Sequence, residues 1–485
     1  MKFDLTCSIA LSREADELKE ELDKFLNKLE IDAELKWEFR GDKLLMRIIS
    51  DKRRSHEWAL RIYKQLSIFF GKHKVGVRGI HLDEYEIEIE IEKEPLKEIS
   101  IPFASIKFEG KIVKIRIVDK EEEFLRENYV DRIIRLVKEK VEAQYYEGKK
   151  EYWQLIWQSE EKKPVWNKDP SEEMQRRGWI KLLGKGKWFY FPPAAAIMRA
   201  MEEIAIKEVI LPLGFKEIIQ PMHVAFDTWI KTGHLEGMAG EIYYVCEPKS
   251  REAEEWEKFV DLLKIKRSVE EEELMKNLKV PKAGVCYAQC PNIYSALAGK
   301  TIAEEDLPLL LFDRSTPSDR YEAGGKHGIE RVDEFHRIEI VYIGTKEQLL
   351  DIKEKLIDKY KHVFDNILDL EWRMAKVTPF YLQQAGLFEE EDEIKGTIDF
   401  EAYLPYKGDR SKEWLEIQNI SIVGDKYTKA FNIKSQHSQL WSGCSGIGLE
   451  RWMVAFLAQK GMKPEKWPPS FKKYLSTLPD MPTFL

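Results

Sequence analysis

The sequence lacks the features of a membrane or secreted protein. No apolar run approaches the roughly 20 residues that span a bilayer, and no secretory apolar segment follows Met1. No sustained heptad repeat, internal repeat or low-complexity tract is visible either. These absences predict a cytoplasmic globular protein without a membrane partner.

Cysteine is scarce. The chain has five cysteines, an odd number, and they are scattered along it: Cys7, Cys246, Cys286, Cys290 and Cys444. In a chain without a secretion signal this pattern argues against a disulfide framework. Reduced thiols or a metal site are the remaining interpretations.

The length and composition predict more than one folded domain. The chain has 485 residues, of which 43% are hydrophobic, and fourteen tryptophans supply material for buried cores. A chain of this length is expected to form two or three domains. The net charge of −8 argues against a protein coated with nucleic acid, although it leaves room for a local basic surface.

Periodicity in the first 165 residues predicts an α+β domain with an antiparallel sheet. Strict alternation of apolar and charged residues predicts strands, and apolar residues on one helical face predict helices. The predicted helices cover residues 12–29 and 129–145, and the predicted strands cover residues 84–93 and 112–118. Ser12 is the expected N-cap of the first helix.

One segment of this acidic chain is basic. Between residues 52 and 78 only Glu57 opposes eight basic side chains: Lys52, Arg53, Arg54, Arg61, Lys64, Lys72, Lys74 and Arg78. Phosphate groups are attracted to such a surface by Coulomb forces and counterion release. A solvated helix face is the alternative interpretation.

Two polar segments interrupt the rest of the chain. Residues 159–178 contain two prolines and suit an interdomain linker, and residues 249–282 are typical of two short helices inserted into a larger domain. Elsewhere the pattern predicts a helix at residues 347–366 and strands at residues 336–344 and 414–423.

RYEAGGKHGIERVDEFHRIE, residues 320–339, predicts a strand, a glycine-rich turn and a second strand. Because side chains on a strand repeat every second residue, five of them are expected on one face: Arg331, Asp333, Phe335, Arg337 and Glu339. Guanidinium, aromatic and carboxylate groups together suit a nucleotide and a cationic substrate group. A salt-bridged hairpin face is the alternative.

Three segments in order resemble the signature motifs of class II aminoacyl-tRNA synthetases. LGFKEIIQPM (213–222) follows an amphipathic helix, RYE and its return strand follow, and GCSGIGLERWMVAFL (443–457) runs from a glycine-dense strand into a helix. On this resemblance motif 1 lies near residues 195–222, motif 2 near 312–344 and motif 3 near 440–457. Motif 1, with Pro221, is implied to build a homodimer.

The resemblance extends to the seryl-tRNA synthetases. WIKTGHLEG (229–237), RVDEFHRIE (331–339) and WLEIQNIS (414–421) are similar to that family. The long coiled coil of its usual members is missing, while CYAQC (286–290) and GCSGIGLERW (443–452) resemble the rare form of methanogenic archaea. This implies an amino-terminal α+β tRNA-binding domain over residues 1–165. Residues 166–485 would then form a catalytic core, an antiparallel sheet flanked by helices.

The family's activity comprises two steps. The serine carboxylate attacks the α-phosphate of ATP, and a terminal hydroxyl of tRNA(Ser) then attacks the activated carbonyl. Catalysis of this kind depends on positioning and charge stabilisation, which fits the absence of a Ser-His-Asp arrangement.

The resemblance assigns roles to the matched residues. Arg320, Glu416 and Arg451 are the implied catalytic residues, with Glu416 holding the Mg²⁺ that accompanies ATP. The implied ATP-binding set is Arg320, Glu322, Arg331, Phe335, Glu416 and Arg451. The implied serine-binding residues are Asn419, Ser421 and Gln384, the last in the loop at residues 377–386.

Cys290, Glu339 and Cys444 match the family's zinc ligands. Three protein ligands leave a fourth position of the ion open, where the amino group of serine would bind. Spacing alone leaves a Cys286–Cys290 pair open as an alternative, and a buried free thiol is a third interpretation. The role of His234 is open, and His327 and His336 are not expected to be ligands.

Three other functions compete with this one. A synthetase-like ligase could load a carrier protein, a non-catalytic relative could bind RNA, and a zinc-containing enzyme of the same class could use threonine. The extra amino-terminal domain argues against the first. The presence of Arg320, Glu322, Arg331, Glu416 and Arg451 argues against the second. Threonine differs from serine by one methyl group, and the sequence does not discriminate between them.

Overall fold

The computed structural model describes residues 1–145, 153–315, 318–319, 327–377, 396–410 and 414–483. The chain divides into two compact units, Met1–Lys149 and Lys150–Leu485, here called unit 1 and unit 2. Among the described residues, no helix combines the length and the apolar character needed to cross a membrane.

Unit 1 is an antiparallel sheet packed against helices. Its strands are β1 (Lys2–Leu11), β2 (Glu34–Arg40), β3 (Lys43–Ser50), β4 (Val77–Glu90), β5 (Ala104–Glu109) and β6 (Ile112–Ile117), in the order β2-β3-β1-β4-β6-β5. Its helices are α1 (Lys19–Leu26), α2 (Ser55–Lys72), α3 (Glu123–Arg126) and α4 (Tyr129–Gln144). The predicted α+β domain is confirmed.

The predicted alternation in β4 is also confirmed. Tyr85, Ile87 and Ile89 are buried, and the glutamates between them are exposed. The first helix is shorter than predicted, because the Ser12 hydroxyl accepts a hydrogen bond from Gly76 N at 2.7 Å instead of capping a helix. Helix α1 therefore begins at Lys19, after a single 3₁₀ turn over Asp16–Leu18.

Unit 2 is organised around an eight-stranded main sheet, and it also contains smaller sheets. The described strands of unit 2, in all its sheets, are β7 (Trp153–Gln158), β8 (Ile180–Gly184), β9 (Lys187–Tyr190), β10 (Lys216–Glu217), β11 (His223–Ala225), β12 (Tyr244–Val245), β13 (Ala283–Val285), β14 (Thr301–Ile302), β15 (Leu309–Asp313), β16 (Ser318–Asp319), β17 (Glu334–Phe335), β18 (Arg337–Gly344), β19 (Trp372–Val377), β20 (Gly396–Tyr403), β21 (Trp414–Gly424), β22 (Lys434–Ser435) and β23 (Trp441–Gly448). The main sheet has the order β10-β15-β18-β23-β21-β20-β19-β7 and is antiparallel except for the β10–β15 pair.

Helices cover this sheet. They are α5 (Pro170–Arg176), α6 (Pro192–Ile204), α7 (Phe226–Thr232), α8 (His234–Met238), α9 (Ala253–Lys266), α10 (Glu271–Asn277), α11 (Cys290–Ala296), α12 (Lys346–His362), α13 (Lys426–Ala430) and α14 (Leu449–Lys460). The larger core packs α6, α12 and α14 on one sheet face, and a smaller core with α11 and α13 lies on the other. Helices α9 and α10 lie in the segment where two short helices were predicted.

The linker predicted at residues 159–178 instead packs into unit 2. Asp169 caps α5 by accepting from Ser171 N at 2.8 Å, and Ser171 Oγ accepts from Ile329 N at 3.1 Å. Lys162 N donates to the carboxylate of Glu371 at 2.8 Å. Polarity and prolines predicted a linker, but these polar groups make hydrogen bonds within the folded unit.

Candidate active site

Strand alternation brings Glu339 and Cys444 to the same face of the main sheet. In β18, Ile338, Ile340 and Tyr342 face the larger core, so Glu339 faces the smaller one. Cys444 in β23 belongs to the smaller core and lies opposite Val341, two residues from Glu339. Residue 446, which lies opposite Glu339, is a glycine. A Cβ atom there would lie only 3.3 Å from Glu339 Oε2, so the glycine leaves room for the Glu339 carboxylate.

Cys290 completes a cluster with these two residues. It opens helix α11 on the same side of the sheet, and the three possible ligand atoms lie within 4.8 Å of one another. All three residues are buried. Cys286 is not part of the cluster, and its Sγ donates to Ala288 O at 3.2 Å. The structure thus gathers the three predicted zinc ligands and leaves out the alternative cysteine.

The cysteine–glutamate cluster has the chemistry of a zinc site. A hydrogen bond between Cys444 and Cys290, together with burial, raises the pKa of the Cys444 thiol. Burial raises the pKa of the Glu339 carboxyl. Sulfur ligands with one carboxylate suit zinc, and three ligands leave one coordination position open. The raised pKa values imply that metal binding would release protons.

Arg337 supplies the positive charge beside this cluster. Its Nη2 lies 2.6 Å from Glu339 Oε2 and forms an ion pair with that carboxylate. Arg337 Nε donates to Gln289 Oε1 at 3.2 Å, and Gln289 Nε2 donates to Asp313 Oδ2, also at 3.2 Å. Gln289 precedes Cys290, so one buried network connects both sides of the cluster.

A β-bulge places three predicted site residues on the face of the cluster. Opposite β20, Ile417 is the extra residue of β21, and Leu415, Ile417, Ile420 and Ile422 all face the larger core. Glu416, Asn419 and Ser421 therefore share the other face, although Glu416 and Asn419 are three residues apart. Ser421 lies opposite Cys444 in the sheet.

Arg451 and Glu416 form a direct contact. Arg451 Nη1 donates to Glu416 Oε2 at 3.0 Å and to Glu416 O at 2.9 Å. Arg451 Nε donates to Glu330 O at 3.2 Å, which ties helix α14 to the return segment of motif 2. The structure thus brings together two of the predicted ATP-binding residues and fixes the plane of the guanidinium.

Glu330 anchors that return segment. Its buried carboxylate accepts from Tyr406 Oη at 3.0 Å and from Ser171 Oγ at 3.3 Å, and it contacts the His327 ring. Because Glu330 O also accepts from Arg451, the contacts of the Glu330 carboxylate help to position Arg451. Sequence analysis did not predict a role for Glu330.

The strand predicted from Arg331 to Glu339 is interrupted. Strand β17 covers only Glu334–Phe335 and β18 begins at Arg337, because the buried carboxylate of Glu450 accepts from His336 N at 2.9 Å and from His336 Nδ1 at 2.8 Å. Its hydrogen bond to Glu450 raises the pKa of His336. The prediction of five residues on one continuous face was therefore wrong.

The remaining predicted residues have different placements. Arg331 is exposed and Phe335 is half-buried, both on the motif 2 return segment. Arg320, Glu322 and Gln384 lie outside the described residues. His234 is buried between the rings of Tyr287 and Tyr427, and burial lowers its pKa to about 3.

Two family models match this chain. Residues 1–139 match a tRNA-binding domain, and residues 285–460 match the class II core domain of tRNA synthetases for G, H, P, S and T. These ranges contain the sheet of unit 1 and the motif 2 and motif 3 strands of unit 2.

Curated relatives match almost the whole chain. A type-2 serine–tRNA ligase of Methanothrix thermoacetophila is 41% identical and covers 99% of both chains. That of Methanococcoides burtonii is 45% identical over 89% of this chain and 86% of its own. A crystal structure of M. kandleri seryl-tRNA synthetase with A. aeolicus tRNASec superimposes with a TM-score of 0.87 at 30% identity, covering 100% of this chain and 99% of that one. The predicted resemblance is confirmed: the chain belongs to the type-2 serine–tRNA ligases, a family of class II aminoacyl-tRNA ligases represented in methanogenic archaea.

Proposed function

We propose that this chain activates serine with ATP and transfers it to tRNA(Ser), with one zinc ion held by Cys290, Glu339 and Cys444. The observation that carries the proposal is the buried cluster, which lies on the same sheet face as Glu416, the residue to which Arg451 donates. When bound, zinc would supply an open coordination position for the serine amino group.

Residues of β21 would position the rest of serine. Asn419 and Ser421 flank the cluster on its own sheet face, and Ser421 Oγ shares a 2.7 Å hydrogen bond with Thr397 Oγ1. That bond fixes the Ser421 hydroxyl, and Asn419 Oδ1 accepts from Gly446 N at 3.3 Å. Gln384 remains a serine-binding prediction from sequence.

Charge stabilisation during activation would come from Arg451 together with the sequence-predicted Arg320. Both are proposed to contact ATP phosphates, with Arg331 at the terminal phosphate and Phe335 stacking on adenine. Glu416 is proposed to hold Mg²⁺ through a carboxylate oxygen, the ligand type this ion prefers. Glu322, proposed to bind the adenine amino group, stays a prediction from sequence.

The motif 1 segment is proposed to form a homodimer. Ile219 and Met222 in this segment are 82% and 48% exposed in the single chain. Exposed apolar side chains close together are typical of protein interfaces. Their position beside Pro221 supports the assembly implied by the family motif.

Serine-dependent pyrophosphate exchange tests the proposed activity. Zinc-loaded protein is expected to exchange pyrophosphate into ATP with serine, and less efficiently with threonine or cysteine. Metal analysis on the same sample is expected to find about one zinc per chain. Absence of serine-dependent exchange in a zinc-loaded sample would contradict the proposal, and equal exchange with threonine would reassign the substrate.

The acceptor is proposed to be tRNA, bound by the basic segment of unit 1. The match of residues 1–139 to a tRNA-binding domain and the tRNA-bound M. kandleri relative favour tRNA over a carrier protein. Arg53 and Arg61 are exposed and flank the Trp58 ring, with guanidinium carbons 5.6 and 5.3 Å from its centroid. Arg54 is instead paired with Asp131 at 2.8 Å.

Charge reversal tests this surface. Arg53→Glu with Arg61→Glu is expected to weaken tRNA binding at least roughly tenfold and to lower its salt slope by about 2, because two phosphate contacts are lost. Serine-dependent exchange should not change. Lys107→Glu with Lys114→Glu, the same charge change on the β5–β6 hairpin, is the control. Equal tRNA affinity of the two variants would move the binding surface elsewhere.

A further inference from the structure

The hydroxyl of Tyr294 is a buried polar group that the mechanism above does not use. Tyr294 is 0% exposed, and among the described residues its Oη makes no well-formed hydrogen bond, although the Ser442 hydroxyl interacts with it. More than nine in ten buried polar groups in proteins have a hydrogen-bond partner. A fully buried hydroxyl without a well-formed one leaves room for a partner that forms when something binds nearby.

Tyr294 lies against the cysteine–glutamate cluster. It follows Cys290 by four residues in helix α11, so both share one helix face. A long helical side chain also leans back toward the start of its helix, which here is Cys290. Tyr294, Cys290 and Cys444 pack in one buried core, where the Tyr427 ring lies 4.9 Å from that of Tyr294.

The phenol is suited to donate. The ordinary pKa of a tyrosine hydroxyl is about 10. The hydroxyl therefore keeps its proton at neutral pH. A neutral thiol is a weak acceptor, whereas a metal-bound thiolate carries charge and accepts a stronger hydrogen bond.

We propose that Tyr294 donates a hydrogen bond to the thiolate of Cys290 when the cluster holds its metal ion. The inference depends on the zinc site proposed above and assigns a positioning residue to it. Partners of this kind orient the ligands of a metal and tune its affinity. Helix α11 thus supplies both a ligand and the donor that stabilises it.

Ser442 is the alternative partner. Its hydroxyl is buried and donates to Gly424 O at 3.2 Å, and its hydrogen-bonding interaction with Tyr294 lowers the pKa of that phenol against the larger effect of burial. A bond to Ser442 would be independent of metal, while a bond to the Cys290 thiolate requires it. The two alternatives therefore predict different responses to metal.

Tyr294→Phe separates them. The variant is expected to bind zinc roughly 10–100-fold more weakly in competition with a chromophoric chelator. In the cobalt-loaded protein the thiolate-to-metal charge-transfer band should shift. The unfolding temperature should fall in the zinc-loaded variant, but should stay equal or rise without metal, because phenylalanine removes a hydroxyl that makes no well-formed hydrogen bond to the described residues there.

Tyr360→Phe is the matched control. The Tyr360 hydroxyl is also fully buried, but it shares a 2.8 Å hydrogen bond with Ser445 Oγ on the opposite face of β23. This variant should lower the unfolding temperature equally with and without zinc and leave zinc affinity unchanged.

Two results would overturn the inference alone: zinc affinity of Tyr294→Phe equal to the parent chain, or an equal loss of unfolding temperature with and without zinc. A parent chain that binds no zinc would overturn the proposed metal site and this inference together.

Discussion

Cys290→Ser is expected to lose zinc and serine-dependent pyrophosphate exchange together. A hydroxyl is a poor zinc ligand, and the cluster has only three donor groups among the described residues. Loss of an outer partner of a zinc ligand already costs roughly 10–100-fold in affinity, so loss of a ligand should cost more. Exchange should fall by at least about the same factor, since the serine amino group would lose its binding position.

Cys286→Ser is the control for this experiment. It makes the same chemical change four residues earlier, at another buried cysteine. Because Cys286 Sγ donates to Ala288 O, serine can replace that hydrogen bond. Zinc content and exchange should therefore stay near those of the parent chain. Metal analysis and exchange assays on both variants would show whether the spacing-based Cys286–Cys290 pair or the assembled cluster holds the ion.

The pH dependence of zinc affinity adds an independent check. The folded protein raises the pKa of Cys444 and of Glu339, so both hold their protons more tightly than ordinary side chains. Zinc must displace those protons, so its affinity should rise with pH in the parent chain.

Full zinc content and full exchange activity in the Cys290→Ser variant would contradict the assignment of Cys290 as a zinc ligand.

Alternation in the sequence predicted two of the six strands of the unit 1 sheet. Strict alternation in β4 and β6 requires one buried face, and both strands have it. Helix α1 was predicted too long because the Ser12 hydroxyl can cap a helix or bond a distant backbone, and periodicity does not distinguish these outcomes. Residues 159–178 were predicted to be a linker because they are polar, but their hydrogen-bond partners, such as Glu371 and Ile329, lie far away in the sequence.

The proposed metal ligands were predicted through family resemblance and not from spacing. Glu339 and Cys444 meet because β18 and β23 are neighbours, and Cys290 joins them because helix α11 packs on that face of the sheet. Local spacing offered Cys286 instead, which the fold excludes. Glu330 and Glu450 were missed because their roles depend on contacts with His327 and His336 that no short motif contains.

The bulge in β21 explains why the face of the site could not be fully predicted. Two-residue alternation places Asn419 and Ser421 together, as predicted, but puts Glu416 on the opposite face. The extra residue, Ile417, returns Glu416 to the face of Asn419 and Ser421. This bulge is visible only in the pairing of β21 with β20. Bulges often occur next to active sites, where they redirect a side chain.

Arg451→Ala is expected to lower the exchange rate about 100–1,000-fold, the typical cost of losing one group that stabilises transition-state charge. The KM for ATP should rise as well, because the same guanidinium is proposed to contact ATP before reaction. Zinc content should not change, since Arg451 makes no contact with the cluster among the described residues. Exchange kinetics with varied ATP, and metal analysis, measure both quantities.

Arg410→Ala is the control for general destabilisation. Arg410 also pairs with a carboxylate, in this case the buried one of Glu371, at 2.8 Å. Its loss should lower stability by about 1–3 kcal/mol and leave the KM for ATP unchanged. A similar rise of KM in this variant would attribute the effect of Arg451→Ala to destabilisation.

Arg451→Lys then separates charge from geometry. The Arg451 guanidinium donates from Nη1 to Glu416 and from Nε to Glu330 O, which fixes its plane. Lysine keeps the charge but has a single nitrogen on a flexible stem, so it cannot reproduce this planar arrangement. Only a small part of the lost rate should therefore return. Full recovery would show that the site needs a positive charge at this position and not an oriented guanidinium, and the contacts with Glu416 and Glu330 would then be structural.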